Sequence, residues 1–227
     1  LYLKAFEENR DIYKTVGSAM HHIPYEQVVG SMRKAAKAAV LGLNYEGDWW
    51  TLVRQHGMEE EEAKETVRAY RRSVPRLERW KASQIQYVTQ GPGAGVVRTA
   101  WGRPRRLLWY LGSSDYGLRQ QGERFIVNTI VQGTSADVMR ILLCEMYERL
   151  FKPYPDLIRF VGCVHDEIDL AIRKDALDDM LPRVRELMEI TPPDCACPLT
   201  VEFEIGYSYG YLFPFTFRDG QWVPQAA

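Results

Sequence analysis

The sequence predicts an α+β fold, in which a helical region is followed by antiparallel strands mixed with further helices. Three observations lead there. Apolar residues recur at three- to four-residue spacing through much of residues 12–86, which is the helical period. Two β-branched runs, 157–164 and 168–172, flank His165, Asp166 and Glu167, a pattern that reads as a hairpin with a tight acidic tip. Helices come first and strands later, rather than in the strict alternation of a parallel-sheet fold.

Each element can be justified in order. Residues 12–45 read as helical, with a break near His22, Ile23 and Pro24 that suits a helix start. Residues 58–86 carry Ala63, Val67, Tyr70, Val74, Leu77 and Trp80 at helical spacing, and Pro75 kinks or divides the stretch. Gly91, Pro92, Gly93, Ala94 and Gly95 form a turn or loop by composition, and residues 96–108 follow as a short hairpin rich in arginine. Residues 123–150 repeat Val127, Val131, Val138, Ile141 and Leu142, a long amphipathic helix with Gly133 as an interior weakness. Residues 175–190 return to helix. In 199–205, Val201, Phe203 and Ile205 alternate with Thr200, Glu202 and Glu204, as in a half-buried strand.

The chain has 227 residues, enough for one large domain or two small ones. No repeat or low-complexity linker is visible. Charges interrupt every apolar stretch before membrane-spanning length, so no membrane partner is expected. Residues 1–10 lack the basic and apolar regions of a secretory leader. Because the chain opens on Leu1, it is expected to be part of something longer or a processed piece. Cys144 and Cys163 lie in apolar-rich segments and are expected to behave as small hydrophobes. Cys195 and Cys197 flank one alanine, which is not zinc spacing. A reducing intracellular setting is expected from this cysteine usage, and the cytoplasm is the expected location. The net charge of -1 neither requires nor excludes an anionic partner. Its distribution says more: Arg98, Arg103, Arg105 and Arg106 crowd one stretch and could hold a phosphate backbone locally. The acidic run Glu59, Glu60, Glu61 and Glu62 reads as a solvated surface.

Three stretches carry candidate chemistry. Arg33, Lys37, Leu41 and Tyr45 are four apart and share one helix face: two cations, an apolar patch and an aromatic ring. A nucleoside triphosphate could lie along such a stripe, with phosphates at the cations and a base at the ring. Taken alone, an alanine-rich helix with solvated cations explains the stretch equally. Arg124, Asn128 and Gln132 form a second four-residue stripe, running into Gly133, Thr134, Ser135, Ala136 and Asp137. Guanidinium and amide groups can donate to minor-groove acceptors that every base pair presents, and so test duplex shape without reading sequence; a solvated polar face is the alternative. Asp166 and Glu167 at the hairpin tip are hard oxygen ligands suited to Mg²⁺, or simply an acidic turn.

Together, in this order and spacing, the three stretches resemble the motif series of family A DNA polymerases. The segments at Asp11 and Ile12, at 99–103 and at 198–202 also sit where that family has similar ones, so the resemblance spans essentially the whole chain. It implies a right-hand polymerase architecture, incomplete here: a mostly helical fingers subdomain over 1–92, then the remaining fingers and an antiparallel-sheet palm over 93–227. It implies that Arg33 and Lys37 hold the incoming triphosphate, that Leu41 packs on its sugar and base, and that Tyr45 stacks where the templating base enters. Arg124, Asn128, Gln132 and His165 would contact primer and template. Asp166 would bind the metals with support from Glu167, and Asp166, Glu167 and Lys37 would be the catalytic positions. The implied partners are primer-template DNA, a dNTP and two Mg²⁺ ions.

Several positions depart from the family. The strand carrying the first catalytic aspartate should precede Leu1, so a second carboxylate ligand is expected from outside this chain, in the same polypeptide or a separate subunit. Leu41 stands where Phe or Tyr is usual, which predicts discrimination against dideoxynucleotides and is reminiscent of some phage enzymes. Tyr13 replaces a histidine near the triphosphate, and Glu46 replaces a glycine after the tyrosine. Two further readings stay open: a single-subunit RNA polymerase, and a polymerase-derived chain that binds nucleic acid without activity.

Overall fold

The computed structural model describes residues 1–44, 47–189, 196–197, 199–218 and 221–224. The chain divides into two compact units, Leu1–Thr134 and Ser135–Ala227.

In the first unit, α1 (Tyr2–Glu7), α2 (Ile12–His21), α3 (Gly30–Leu43), α4 (Trp49–His56), α5 (Glu60–Ser73) and α6 (Pro75–Thr89) form the helical part. The helix ends follow capping chemistry. Asp11 accepts the Lys14 amide at the start of α2, and His22 closes that helix in the left-handed region at φ 55. Asp48 and Thr51 make a capping box on α4, and Gly57 ends it at φ 67. The acidic run opens α5, with Glu60, Glu61 and Glu62 in its first turn and Arg71 and Arg72 in its last, which complements the helix dipole. Lys64 pairs with Glu60 and Glu61, so the glutamates are the solvated surface expected. Pro75 is the first residue of α6: it divides the stretch as a helix start.

The helical core explains why α3 presents the face it does. Ala36, Ala39, Val40 and Leu43 recur at three to four residues and are buried with Val16, Leu52, Val67 and Tyr70. The opposite stripe, at 33, 37 and 41, is left to solvent. A short hairpin, β1 (Val96–Arg98) with β2 (Pro104–Arg106), turns at Gly102, which takes φ 81. It leads through α7 (Leu108–Leu111) into α8 (Tyr116–Met146), and Val88, Val97, Leu107 and Ile126 form a second small core.

Helix α8 starts seven residues earlier than the periodicity suggested, because the Asp115 side chain caps it by accepting the Leu118 amide at 2.9 Å. Two of its expected core positions, Val131 and Ile141, are exposed. The helix contributes Ile126 to one core and Met146 to another, so no single apolar stripe is needed along its length. Gly133 is explained by close approach. A Cβ there would meet the Thr99 methyl at 2.9 Å, where the hairpin turn donates Ala100 N–H to Thr134 Oγ1 at 3.0 Å and Arg103 Nη2 to the Gly133 carbonyl at 2.9 Å.

In the second unit, α8 continues into a π-helical turn at Tyr147–Phe151. Then come the antiparallel pair β3 (Ile158–Val164) and β4 (Glu167–Ile172), helix α9 (Leu177–Met188), and a meander of β5 (Phe203–Gly206), β6 (Leu212–Arg218) and β7 (Gln221–Pro224). Met146, Leu150, Ile158, Met180, Val184 and Leu187 form its core. The strand expected over 199–205 begins only at Phe203, because the Val201 amide is taken by the Glu189 carboxylate at 3.2 Å instead of a neighbouring strand. Cys144 and Cys163 are exposed, contrary to the small-hydrophobe expectation; β3 is buried only at its first residue, Ile158, so Cys163 near the tip is left uncovered. No helix among the described residues is long and apolar enough to cross a membrane.

Candidate nucleotide and nucleic-acid surfaces

The exposed face of α3 is more ordered than a row of solvated cations. Arg33 donates through Nε and Nη2 to one oxygen of Asp11, at 2.9 and 2.7 Å. The Tyr13 ring lies beneath both cations, 5.3 Å from the Arg33 guanidinium and 5.6 Å from the Lys37 ammonium. Such distances permit cation–π attraction to hold both charges over one ring. Partial burial pushes the Asp11 carboxyl up, but the Lys14 amide and the Arg33 guanidinium outweigh it and hold the group below the ordinary carboxylate value. Asp11 therefore stays ionised and keeps Arg33 fixed. Lys37 is exposed, and Leu41, one turn on, is 50% exposed, an apolar side chain left open beside two cations. Arg33, Lys37 and Leu41 are thus brought onto one accessible face; Tyr45 and Glu46 lie outside the described residues.

On α8, Arg124 and Asn128 line an open cavity of ≈ 360 Å³ together with Gly117, Gln121 and Phe125. Arg105 of the hairpin stacks 4.1 Å over the Phe125 ring and donates to Thr129 Oγ1 at 3.2 Å. The arginine cluster is therefore divided in use: Arg103 and Arg105 dock the hairpin on α8, while Arg106 is exposed. Gln132 is exposed one turn beyond Asn128. Gln121 is a residue that the sequence reading missed. It lies three before Arg124 and seven before Asn128, a spacing visible once Asp115 is read as the cap of α8.

In the second unit, β3 and β4 pair with Val164 opposite Glu167, leaving His165 and Asp166 as a two-residue loop. His165 takes φ 55, the positive angle that twist-compatible two-residue turns demand at this position and that usually falls to glycine. Holding histidine there costs about 1 kcal/mol. His165, Asp166 and Glu167 are all exposed at the tip. Desolvation and the nearby carboxylates of Asp169, Glu204 and Asp166 push the Glu167 carboxyl above its ordinary value, with Asp169 also hydrogen-bonded to it. None of these four carboxylates has a salt-bridge partner among the described residues, and no three metal-ligating groups there converge into a ready cage. The tip is a concentration of negative charge supplied by one strand and its neighbours.

Cations held over an aromatic ring suit an anionic group, the polar helical cavity offers hydrogen-bond donors, and the acidic hairpin tip suits a cation. Comparison with known proteins gives these surfaces a family. The family model for DNA polymerase family A matches residues 2–211. DNA polymerase I of Borreliella burgdorferi is 29% identical over 212 residues, 92% of this chain and 22% of that protein. The thermostable DNA polymerase I of Thermus aquaticus is 32% identical over 204 residues, 90% of this chain and 24% of that protein. Among solved structures, the POL domain of Pol1 from M. smegmatis, in complex with DNA primer-template and dNTP, superposes with a TM-score of 0.75 at 25% identity, covering 87% of this chain and 34% of that one. The mixed helix and small antiparallel sheets are those of an incomplete right-hand polymerase. The chain belongs to DNA polymerase family A. It spans less than a quarter of the length of the curated relatives it matches.

Proposed function

We propose that this chain supplies the fingers (1–92) and the remaining fingers and palm (93–227) of a DNA-directed DNA polymerase, adding deoxynucleoside monophosphates from dNTPs to a primer 3′ hydroxyl. The observation that carries the reading is the α3 face, where Arg33 and Lys37 share the Tyr13 ring beside an exposed Leu41, in a chain of this family. Phosphoryl transfer asks little covalent chemistry of a protein; it asks for positioning and charge stabilisation. Arg33, already aimed by Asp11, and Lys37 would hold the triphosphate. Leu41 would pack on its sugar and base, and Tyr45 would stack where the templating base enters. The α8 cavity, with Arg124 and Asn128 and with Gln132 beyond it, offers donors for the primer-template minor groove, and His165 at the tip would touch the primer terminus.

The acidic tip suits a divalent cation. Desolvation and then neighbouring carboxylates that no salt bridge among the described residues offsets hold Glu167 above its ordinary value, so a hard cation would complement this donor set. Asp166 and Glu167 would hold Mg²⁺ with a further carboxylate from outside this chain. When bound, Mg²⁺ supplies Lewis-acid activation of the 3′ hydroxyl and neutralises charge on the leaving pyrophosphate.

Primer extension by the intact gene product that carries this chain tests the reading. Mg²⁺-dependent, template-directed synthesis with dNTPs, lost in Asp166→Ala, is the expected result. Preference for rNTPs over dNTPs would instead favour an RNA polymerase, and DNA binding without extension would favour an inactive remnant.

A further inference from the structure

The last turn of α3 is held by three other helices at three consecutive residues. Gly42 lies against α4, where a Cβ would come within 3.0 Å of Leu52 Cδ2. The Leu43 carbonyl accepts from Lys81 Nζ of α6 at 2.8 Å. The Asn44 side-chain oxygen accepts from the Tyr70 hydroxyl of α5. With the Tyr70 proton engaged there, the Tyr2 hydroxyl of α1 is the donor in its 2.7 Å contact with Tyr70.

Lys81 is the unusual member of this group. Its side chain is 4% exposed, and its ammonium also bonds Glu78 at 3.1 Å. An ammonium taken out of water is unfavourable unless it is paired, and an apolar side chain of similar length would fill the same space without that penalty. Its position accounts for it. Carbonyls at a helix C-terminus have no partner within the helix and carry the negative end of its dipole, which a buried cation satisfies. Leu43 lies two residues beyond Leu41 and six beyond Lys37, so fixing its carbonyl fixes the end of the stripe that meets the nucleotide.

We propose that Lys81 is a positioning residue for nucleotide selection: its buried ammonium pins the last turn of α3 through the Leu43 carbonyl and so sets the angle at which Leu41 meets the incoming nucleotide. This rests on the reading of α3 as the nucleotide-binding face. The sequence gives no sign of it, since Lys81 falls among the charged residues of an amphipathic helix and the backbone carbonyl it meets is 38 positions away.

The experiment uses the intact gene product, with dNTP titrations for matched and mismatched nucleotides. Lys81→Met is expected to raise KM for the matched dNTP roughly tenfold, the order of one lost buried hydrogen bond. It should narrow discrimination against the mismatch, while kcat and the primer-template Kd stay within about twofold. Lys81→Arg, which keeps a charged donor, should recover most of the loss. Amide exchange at 41–44 should quicken in Lys81→Met while α5 is unaffected. An unchanged KM and unchanged discrimination overturn the proposal, as does an equal loss in KM, kcat and primer-template affinity, which would make Lys81 a residue of general stability. If Lys81→Met does not fold, Lys81→Gln is measured by the same criteria, with a rise in KM of about threefold expected and an unchanged KM decisive against the proposal. A wild-type product without template-directed extension sinks the polymerase reading and this inference together; an active wild type with an indifferent Lys81 variant sinks this inference alone.

Discussion

Asp11 does two jobs that substitution can separate. Its carboxylate caps α2 by accepting the Lys14 amide at 2.9 Å, and it holds Arg33 through two hydrogen bonds to the other oxygen. Asparagine caps a helix about as well as aspartate, so Asp11→Asn should remove the ion pair and keep the cap. With the Arg33 and Asp11 side chains 40% and 30% exposed, the pair is in the regime of surface salt bridges and contributes about 0.5–1 kcal/mol. Asp11→Ala removes the cap as well, adding about 1 kcal/mol, for a total near 1.5–2 kcal/mol. The pH dependence has a definite sign. The folded carboxyl sits below its ordinary 3.8, so the stabilisation is fully present above that value and is lost as pH falls through the lower, folded one. Urea unfolding of wild type, Asp11→Asn and Asp11→Ala at neutral pH and in steps below pH ~4 reads both effects. The gap between wild type and Asp11→Asn should hold at neutral pH and close in acid, leaving Asp11→Ala the less stable throughout. Equal losses for the two variants at neutral pH would refute the division into cap and ion pair. A gap that survives in strong acid would refute the charge pairing.

Three other predictions follow from the geometry. Gly133→Ala should destabilise by up to about 2 kcal/mol in urea unfolding, the overpacking against the Thr99 methyl of about 1–3 kcal/mol less the helix-propensity gain of about 1 kcal/mol; a more stable variant would show that the hairpin does not approach α8 so closely. Glu167→Gln should raise Tm at neutral pH, since ionising a carboxyl held above its ordinary 4.5 disfavours the folded state there and not in acid below 4.5. Added Mg²⁺ should narrow that difference, and a variant no more stable than wild type counts against the acidic crowding. In the intact gene product, Leu41→Tyr should increase dideoxynucleotide use relative to dNTP in primer extension; no gain would remove Leu41 as the discriminating position.

Much of the site was legible because it is local. Four-residue spacing alone puts Arg33, Lys37 and Leu41 on one face of α3, and Arg124 and Asn128 on one face of α8. Two β-branched runs around three polar residues were enough to expose Asp166 at a hairpin tip. The misses are long-range or depend on single side chains. Asp115 moves the start of α8 and brings Gln121 into the cavity, and Glu189 takes the Val201 amide and shortens β5. Cys144 and Cys163 sit in apolar sequence yet are exposed, because segment hydrophobicity does not say how far along an element the core extends.

The sequence by itself determined most of the helices and strands, the four-residue stripes on α3 and α8 and the family to which the chain belongs, since periodicity, caps and motif order are properties of neighbouring residues. Tertiary structure decided what those faces are held by. Arg33 is bound to Asp11 and both cations rest on Tyr13, residues twenty or more positions apart. Gly133 is required by a hairpin thirty positions upstream, and Lys81 is buried to hold a carbonyl on another helix. Hydrogen bonds and close approaches between distant segments form only when the chain has folded, and no local pattern encodes them.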